Sequence, residues 1–175
     1  MKYPTLITDN FLSKKEINYI DNTILKYDFP WYYSKDAVSG DGYWFYSHSV
    51  IDRIEEGGRH NSYLSSFCIS LLNKFCKKNK IKYKKILRCC INTNFAQKNK
   101  SFMHIDHECD YNHLLIYLTD NKEGKTILFK DNKKTIIKKI KSKQFRAVSF
   151  PKCWHVGISP KEGRRVVLIY TFNIQ

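Results

Sequence analysis

Residues 102–110 read FMHIDHECD, two histidines and three carboxylates within nine residues at the end of an apolar approach. Such a cluster is either a solvated group of charges or a set of ligands around a metal. Which it is depends on whether the rest of the chain supplies a third ligand. On an extended strand, residues two apart share a face, so His104 and Asp106 in HID can chelate one ion. Neutral imidazole with carboxylate suits iron, and a facial set of two histidines and one carboxylate leaves three coordination positions open. Downstream of the β-rich hairpins stands His155, in FPKCWHVGIS (150–159), directly after a run that reads as a strand. The next run, GRRVVLIYTF (163–172), is apolar but opens with two arginines. An arginine at the buried end of such a strand is costly unless it meets an anion, and its planar fork suits a carboxylate.

The rest of the chain has to supply a scaffold that brings these residues together. At 175 residues it fits one domain, expected to span 1–175. The longest uncharged apolar runs fall short of the roughly 18–20 residues that a membrane span needs, and MKYPTLITDN lacks the basic start and apolar stretch of a signal peptide. An intracellular, cytoplasmic protein without a membrane partner is the expectation. The six cysteines (68, 76, 89, 90, 109, 153) include no CxxC pair and read as reduced thiols, not disulfides or a zinc site. The formal charge of +15 would attract nucleic acid or acidic partners. It also fits a composition rich in lysine, asparagine, isoleucine and tyrosine with only three alanines. The densest basic stretch is KKNKIKYKK (77–85).

Ser13 followed by Glu16 forms a capping box, and Ile17, Ile20, Ile24 and Tyr27 recur at helical spacing, predicting a helix over 13–27. Leu64, Phe67, Cys68, Leu71, Leu72 and Phe75 predict a second over 61–79. Between them, the aromatic and glycine-punctuated segment 31–60 reads as loops and short strands, and is the candidate for a lid. From residue 83 the period changes to two, in short β-rich runs separated by turn-like NKEGK, KDNKK and SPKEG. The fold expected is mainly β with supporting α-helices, a sandwich or barrel, with helical support over about 11–80 and a β-core over about 83–175.

The order His104-x-Asp106, then His155, then an arginine about ten residues on, resembles the iron(II) and 2-oxoglutarate dependent dioxygenases. FLSKKEI, HIDHE, LLIYLTDNKEGKTILF and PKCWHVG…GRRVVLIYTF are similar to their prolyl-4-hydroxylase-like branch, including small phage and marine microbial members. The resemblance covers most of the chain beyond residue 84. It implies a double-stranded β-helix (jelly roll, cupin-like), with Fe(II) on His104, Asp106 and His155, and with 2-oxoglutarate and O2 as cosubstrates. It also implies an arginine on the distal carboxylate of 2-oxoglutarate. Arg165, which shares a face with Val167 and Ile169, fits that role better than Arg164 on the opposite face. Tyr117 matches a tyrosine that touches the same carboxylate in related prolyl hydroxylases. Asn94 lies on the strand that contributes a polar side chain to the pocket in relatives, and Thr126 could line the same cavity. His107 falls outside the ligand set; His113 borders the pocket or is structural; His48 and His60 read as exposed; Glu108 and Asp110 are expected at the mouth.

The activity implied is hydroxylation of a substrate C–H bond, coupled to conversion of 2-oxoglutarate to succinate and carbon dioxide. A peptide or protein substrate with proline as target leads. A nucleic-acid oxygenase, motivated by the charge and the aromatics of 29–46, is the alternative, although the arginine pair five residues apart that marks the nucleic-acid demethylase branch is missing. A non-catalytic jelly-roll binding module is the third reading. The oligomeric state is left open.

Overall fold

A computed structural model of the chain describes residues 4–175. Its strands are β1 (Leu6–Thr8), β2 (Tyr32–Ser34), β3 (Phe45–Ile51), β4 (Tyr83–Phe95), β5 (Asn112–Tyr117), β6 (Lys125–Phe129), β7 (Ile136–Lys141), β8 (Ala147–Pro151), β9 (Trp154–Ile158) and β10 (Arg164–Ile174). Two helices, α1 (Lys14–Asn22) and α2 (Ser65–Lys78), precede the long strands. Pairing is antiparallel throughout, in a seven-stranded sheet ordered β1-β8-β5-β10-β4-β3-β2 and a three-stranded sheet ordered β7-β6-β9. This is the jelly-roll arrangement, with helices added to one side.

The alternation of β4 and β10 sorts the molecule into two compartments. Cys89, Ile91, Val166, Leu168, Tyr170 and Phe172 face the helices and join Ile20, Ile24, Leu71, Leu72 and Phe75 in the larger core. Leu115, Tyr117, Leu128, Val148, Phe150 and Val167 form a smaller core between the two sheets. Beside that second core, between it and the later part of β4 (Arg88, Asn92 and Asn94), the space opens into a cavity.

Local chemistry explains where the elements end. The capping box forms: the Ser13 amide donates to Glu16 Oε2 (2.6 Å) and the Glu16 amide to Ser13 Oγ (3.4 Å). Glu16 also receives Lys74 Nζ at 2.6 Å, tying α1 to α2. Helix α1 is shorter than its periodicity predicts. Asn22 and Thr23 donate their side chains back to the carbonyls of Asn18 and Tyr19, and the Ile20 carbonyl collects the amides of Thr23, Ile24 and Leu25, which tightens and stops the helix. Ile24 still reaches the core, but Tyr27 stands fully in solvent.

Two further expectations are corrected. FMHID is not a strand; His104 makes a single bridge with His155, each amide donating to the other's carbonyl (3.1 and 3.0 Å). His48 is not exposed but buried on β3, its ring nitrogens on the Pro30 carbonyl (3.0 Å) and Ser62 Oγ (2.8 Å). His60 is exposed. No disulfide joins any of the six cysteines among the described residues. Among the described residues no helix is long and apolar enough to cross a membrane.

Candidate metal and cosubstrate site

The bridge between His104 and His155 brings the two imidazoles together with Asp106. One ligand atom from each of the three lies within 4.8 Å of the others, the one such cluster among the described residues. His104 Nε2 is 3.7 Å from Asp106 Oδ1, and His155 Nε2 is 4.0 Å from Asp106 Oδ2. The two histidines are held in the same way. His104 Nδ1 sits 3.0 Å from the Phe102 carbonyl and His155 Nδ1 3.1 Å from that of Cys153. A carbonyl can only accept, so each Nδ1 carries the proton and each Nε2 presents a lone pair inward, as metal-binding histidines require.

Burial, reinforced by the charge of His113, pushes the His155 imidazole down to about 3, so it stays a neutral donor. For Asp106, burial alone would raise the carboxyl. A hydrogen bond from His113, with the Arg88 cation nearby, outweighs burial and holds Asp106 well below the usual carboxylate range. Two imidazoles with Nε2 turned inward and an ionised carboxylate, preset and half-sheltered, are a donor set that fits a divalent iron.

His113, on β5, is the residue whose weight the sequence understated. Its Nε2 donates to Asp106 Oδ2 at 2.8 Å, its ring stacks on Phe150 (centroids 4.3 Å apart), and its Nδ1 is buried without a partner among the described residues. It engages one carboxylate oxygen and leaves Oδ1 toward the open side. Arg53 completes the setting, with Nη1 donating to the Asp106 carbonyl at 2.8 Å and Nη2 3.7 Å from Oδ1. His107 turns away: its ring bridges Glu55 and Thr171. Glu108 and Asp110 do not line the cavity.

The cavity beside the triad measures about 460 Å³ and is lined by His104, Asp106, His113, His155, Asn92, Asn94, Thr126 and Arg165, among others. Arg165 is 7% exposed and has no carboxylate within ion-pairing distance among the described residues. Its Nε donates to Ser142 Oγ and its Nη2 to Thr126 Oγ1, both at 2.9 Å. Gly157, paired with Thr126, keeps the space over the guanidinium open, since a Cβ there would sit 3.6 Å from Arg165 Nη1. A buried, fixed, unpaired cation facing a cavity is a cradle for an anionic group. Arg164 points the other way and donates to the Leu25 carbonyl.

Tyr117 is fully buried; its ring lies 5.3 Å from the Arg165 guanidinium and its hydroxyl bonds Thr126 at 2.9 Å, so it stands behind the cavity wall. Asn94 faces Arg165 in register, donates Nδ2 to the Tyr43 hydroxyl (2.8 Å), and buries an unpartnered Oδ1. Tyr43 also accepts from Ser159 Oγ at 2.7 Å. Nothing in its loop-like sequence context marks it. Of the suspected lid, 45–51 is β3, built into the large sheet, while Ser34, Asp36, Ala37, Val38 and Tyr43 wall the cavity. Asp41 holds that wall by accepting the amides of Ala37, Val38, Tyr43 and Phe102.

No protein-family model matches the chain, and no curated protein matches it by sequence. Solved structures do match. A 2OG-Fe(II) oxygenase family oxidoreductase from Burkholderia pseudomallei superposes with a TM-score of 0.73 at 16% identity, over 97% of this chain and 84% of that one. A Trichoplax adhaerens prolyl hydroxylase in complex with a hypoxia inducible factor peptide fragment gives 0.64 at 19%, covering 97% and 83%. HygX from Streptomyces hygroscopicus, with nickel and 2-oxoglutarate bound, gives 0.63 at 8%, covering 98% and 83%. In fold, the chain is a double-stranded β-helix of the kind shared by 2OG-Fe(II) oxygenases and prolyl hydroxylases.

Proposed function

We propose that this protein is an Fe(II)- and 2-oxoglutarate-dependent dioxygenase that hydroxylates a C–H bond, with a proline-containing peptide as the leading substrate. The observation that carries the reading is the pairing, in one cavity, of a two-histidine, one-carboxylate donor set with a buried arginine that lacks a counter-ion. His104, Asp106 and His155 would hold the metal, and Arg165 with Thr126 would receive the distal carboxylate of 2-oxoglutarate. Together with dioxygen, the bound group supplies oxidation of the substrate C–H bond, with succinate and carbon dioxide as coproducts.

The chain's own contribution is positioning. Phe102 and Cys153 carbonyls fix the two imidazoles, and His113 and Arg53 fix the carboxylate. Tyr117 buttresses Thr126 and Arg165 from behind. The peptide reading draws on the prolyl-hydroxylase-like motifs and on the Trichoplax neighbour's peptide complex. Against the nucleic-acid alternative, none of the lysines of 77–85 lines the cavity, and α2, which carries Lys77 and Lys78, packs on the sheet's other face. A reducing cytoplasmic setting would suit ferrous iron and the free thiols.

Anaerobic titration with iron(II) and then 2-oxoglutarate tests the proposal. A visible charge-transfer band should appear, vanish in His104→Ala, and require far more 2-oxoglutarate in Arg165→Ala. Succinate output should then rise with proline peptides. No band in the wild type would overturn the oxygenase reading, and a band with a flat response across peptides would overturn the peptide assignment alone.

A further inference from the structure

Arginine 165 is not the one guanidinium in the cavity. Arg88 and Arg53 also line it, and they lie at its opposite end. On β4, Arg88 pairs with Thr171 while Asn94 pairs with Arg165. Those six residues of strand separate the two positions by about 20 Å along the sheet. Asp106 belongs to the Arg88 end, since His113, which bonds it, also pairs with Thr171. The triad therefore has a cation on each side, and 2-oxoglutarate reaching toward Arg165 would leave the Arg88 side for the substrate.

Arg88 shares the cavity face of β4 with Asn92 and Asn94, where its neighbours in the opposite phase, Cys89 and Ile91, fill the helix-side core. It makes no hydrogen bond and no ion pair with any described residue. Its charge reaches Asp106, but its donors do not: one carboxylate oxygen is taken by His113, and the other has Arg53 and His104 at 3.7 Å. Arg53 is pinned through Nη1 to the Asp106 carbonyl, which leaves its remaining donors facing the same space. Two half-sheltered planar forks lining one cavity beside a metal site, one of them with every donor unspent, match an oxyanion held by more than one hydrogen bond.

Resting on the oxygenase reading, we infer that the substrate carries a carboxylate close to the hydroxylated carbon, clamped by Arg88 and Arg53. In a peptide this is an acidic side chain or terminal carboxylate adjoining the target residue. Arg88 and Arg53 then select for charge at the substrate end while Arg165 serves the cosubstrate end.

The test uses the full chain carrying zinc as a redox-inert stand-in and saturating 2-oxoglutarate, with arginine side-chain N–H signals followed by NMR. Arg88→Gln identifies the Arg88 signal by its loss. Acetate is titrated in, then inorganic phosphate, with solvent-exposed Arg59 as internal reference. The Arg88 signal should move saturably at about tenfold lower acetate than Arg59's does. A blocked proline peptide with a flanking aspartate should bind about tenfold more tightly than its asparagine twin, and that preference should disappear in both Arg88→Gln and Arg53→Gln. An Arg88 signal that responds no sooner than Arg59's, or an acid preference that survives Arg88→Gln, overturns the clamp. A response to phosphate alone overturns the carboxylate assignment. Should 2-oxoglutarate fail to bind, the oxygenase reading falls, and the acetate titration without it still decides whether Arg88 holds an oxyanion.

Discussion

The two faces of the β4–β10 pair are built from the same residues in alternation, yet they are finished differently. Toward the helices, Cys89, Ile91, Val166, Leu168 and Tyr170 are closed by apolar contact, the Tyr170 hydroxyl donates to the Cys68 carbonyl at 2.8 Å, and the Thr93 hydroxyl is the small polar group left over. Toward the cavity stand Arg88, Asn92, Asn94 and Arg165, of which Arg88 has no partner, Asn94 has a stranded carbonyl oxygen, and Arg165 has hydroxyls but no anion. Unpaired buried polar groups cost stability. The helix-side face is closed in the free protein but for the Thr93 hydroxyl, whereas the cavity face keeps cations and an amide oxygen that ligands would complete.

Substitutions should therefore separate stability from binding according to face. Leu168→Ala, fully buried on the helix side, should lower the unfolding free energy by about 3 kcal/mol by opening a cavity, read from the denaturant midpoint. Loss of less than about 1 kcal/mol would mean that the helix-side core is not tightly packed. Arg165→Gln, on the other face, should change the midpoint little, since it removes an uncompensated cation. It should weaken 2-oxoglutarate binding about 100-fold, a calorimetric measurement. A large stability loss with unchanged affinity would reverse the distinction.

Smaller effects sharpen it. His113→Phe keeps the ring against Phe150 but removes the bond to Asp106, and should weaken divalent-metal affinity about 10- to 100-fold while leaving 2-oxoglutarate selectivity intact. Gly124→Ala places a Cβ 2.1 Å from Asn121 Oδ1 and 3.1 Å from Arg165 Cδ. Asn121 must move and Arg165 must shift, so the KM for 2-oxoglutarate should rise several-fold with kcat little changed. Away from both faces, Asp9 bonds Arg146 and Lys143, which hold its carboxyl below the usual range. A depressed folded value means stability gained above the unfolded pKa and lost as pH falls through the folded one. Asp9→Asn should thus cost under about 1 kcal/mol at neutral pH, because the group is partly exposed, and the cost should vanish in strong acid.

What the sequence disclosed follows the same division. Period-two runs marked β4 and β10, and Ser13 with Glu16 marked the start of α1, because local chemistry sets those features. Parity separated Arg165 from Arg164 for the same reason. Long-range partners left no local trace. The end of α1 was decided by Asn22 and Thr23 bonding back to the helix, the burial of His48 by Pro30 and Ser62, and the geometry of FMHID by its bridge to His155, not by strand pairing of its own. Parity set His113 beside the pocket or in a structural role without showing its bond to Asp106, and Arg88 looked like an ordinary strand residue, since what distinguishes it is an unfilled cavity.

The most direct test of the cavity face is the stability of the wild type against 2-oxoglutarate concentration, in the presence of a redox-inert divalent ion. If Arg165 and the triad are finished by these ligands, the unfolding free energy should climb by about 2.7 kcal/mol at one hundred times the dissociation constant, and the climb should need the metal and fail in Arg165→Gln at the same concentrations. A wild type whose stability is indifferent to 2-oxoglutarate, or a rise that survives Arg165→Gln unchanged, would contradict the account.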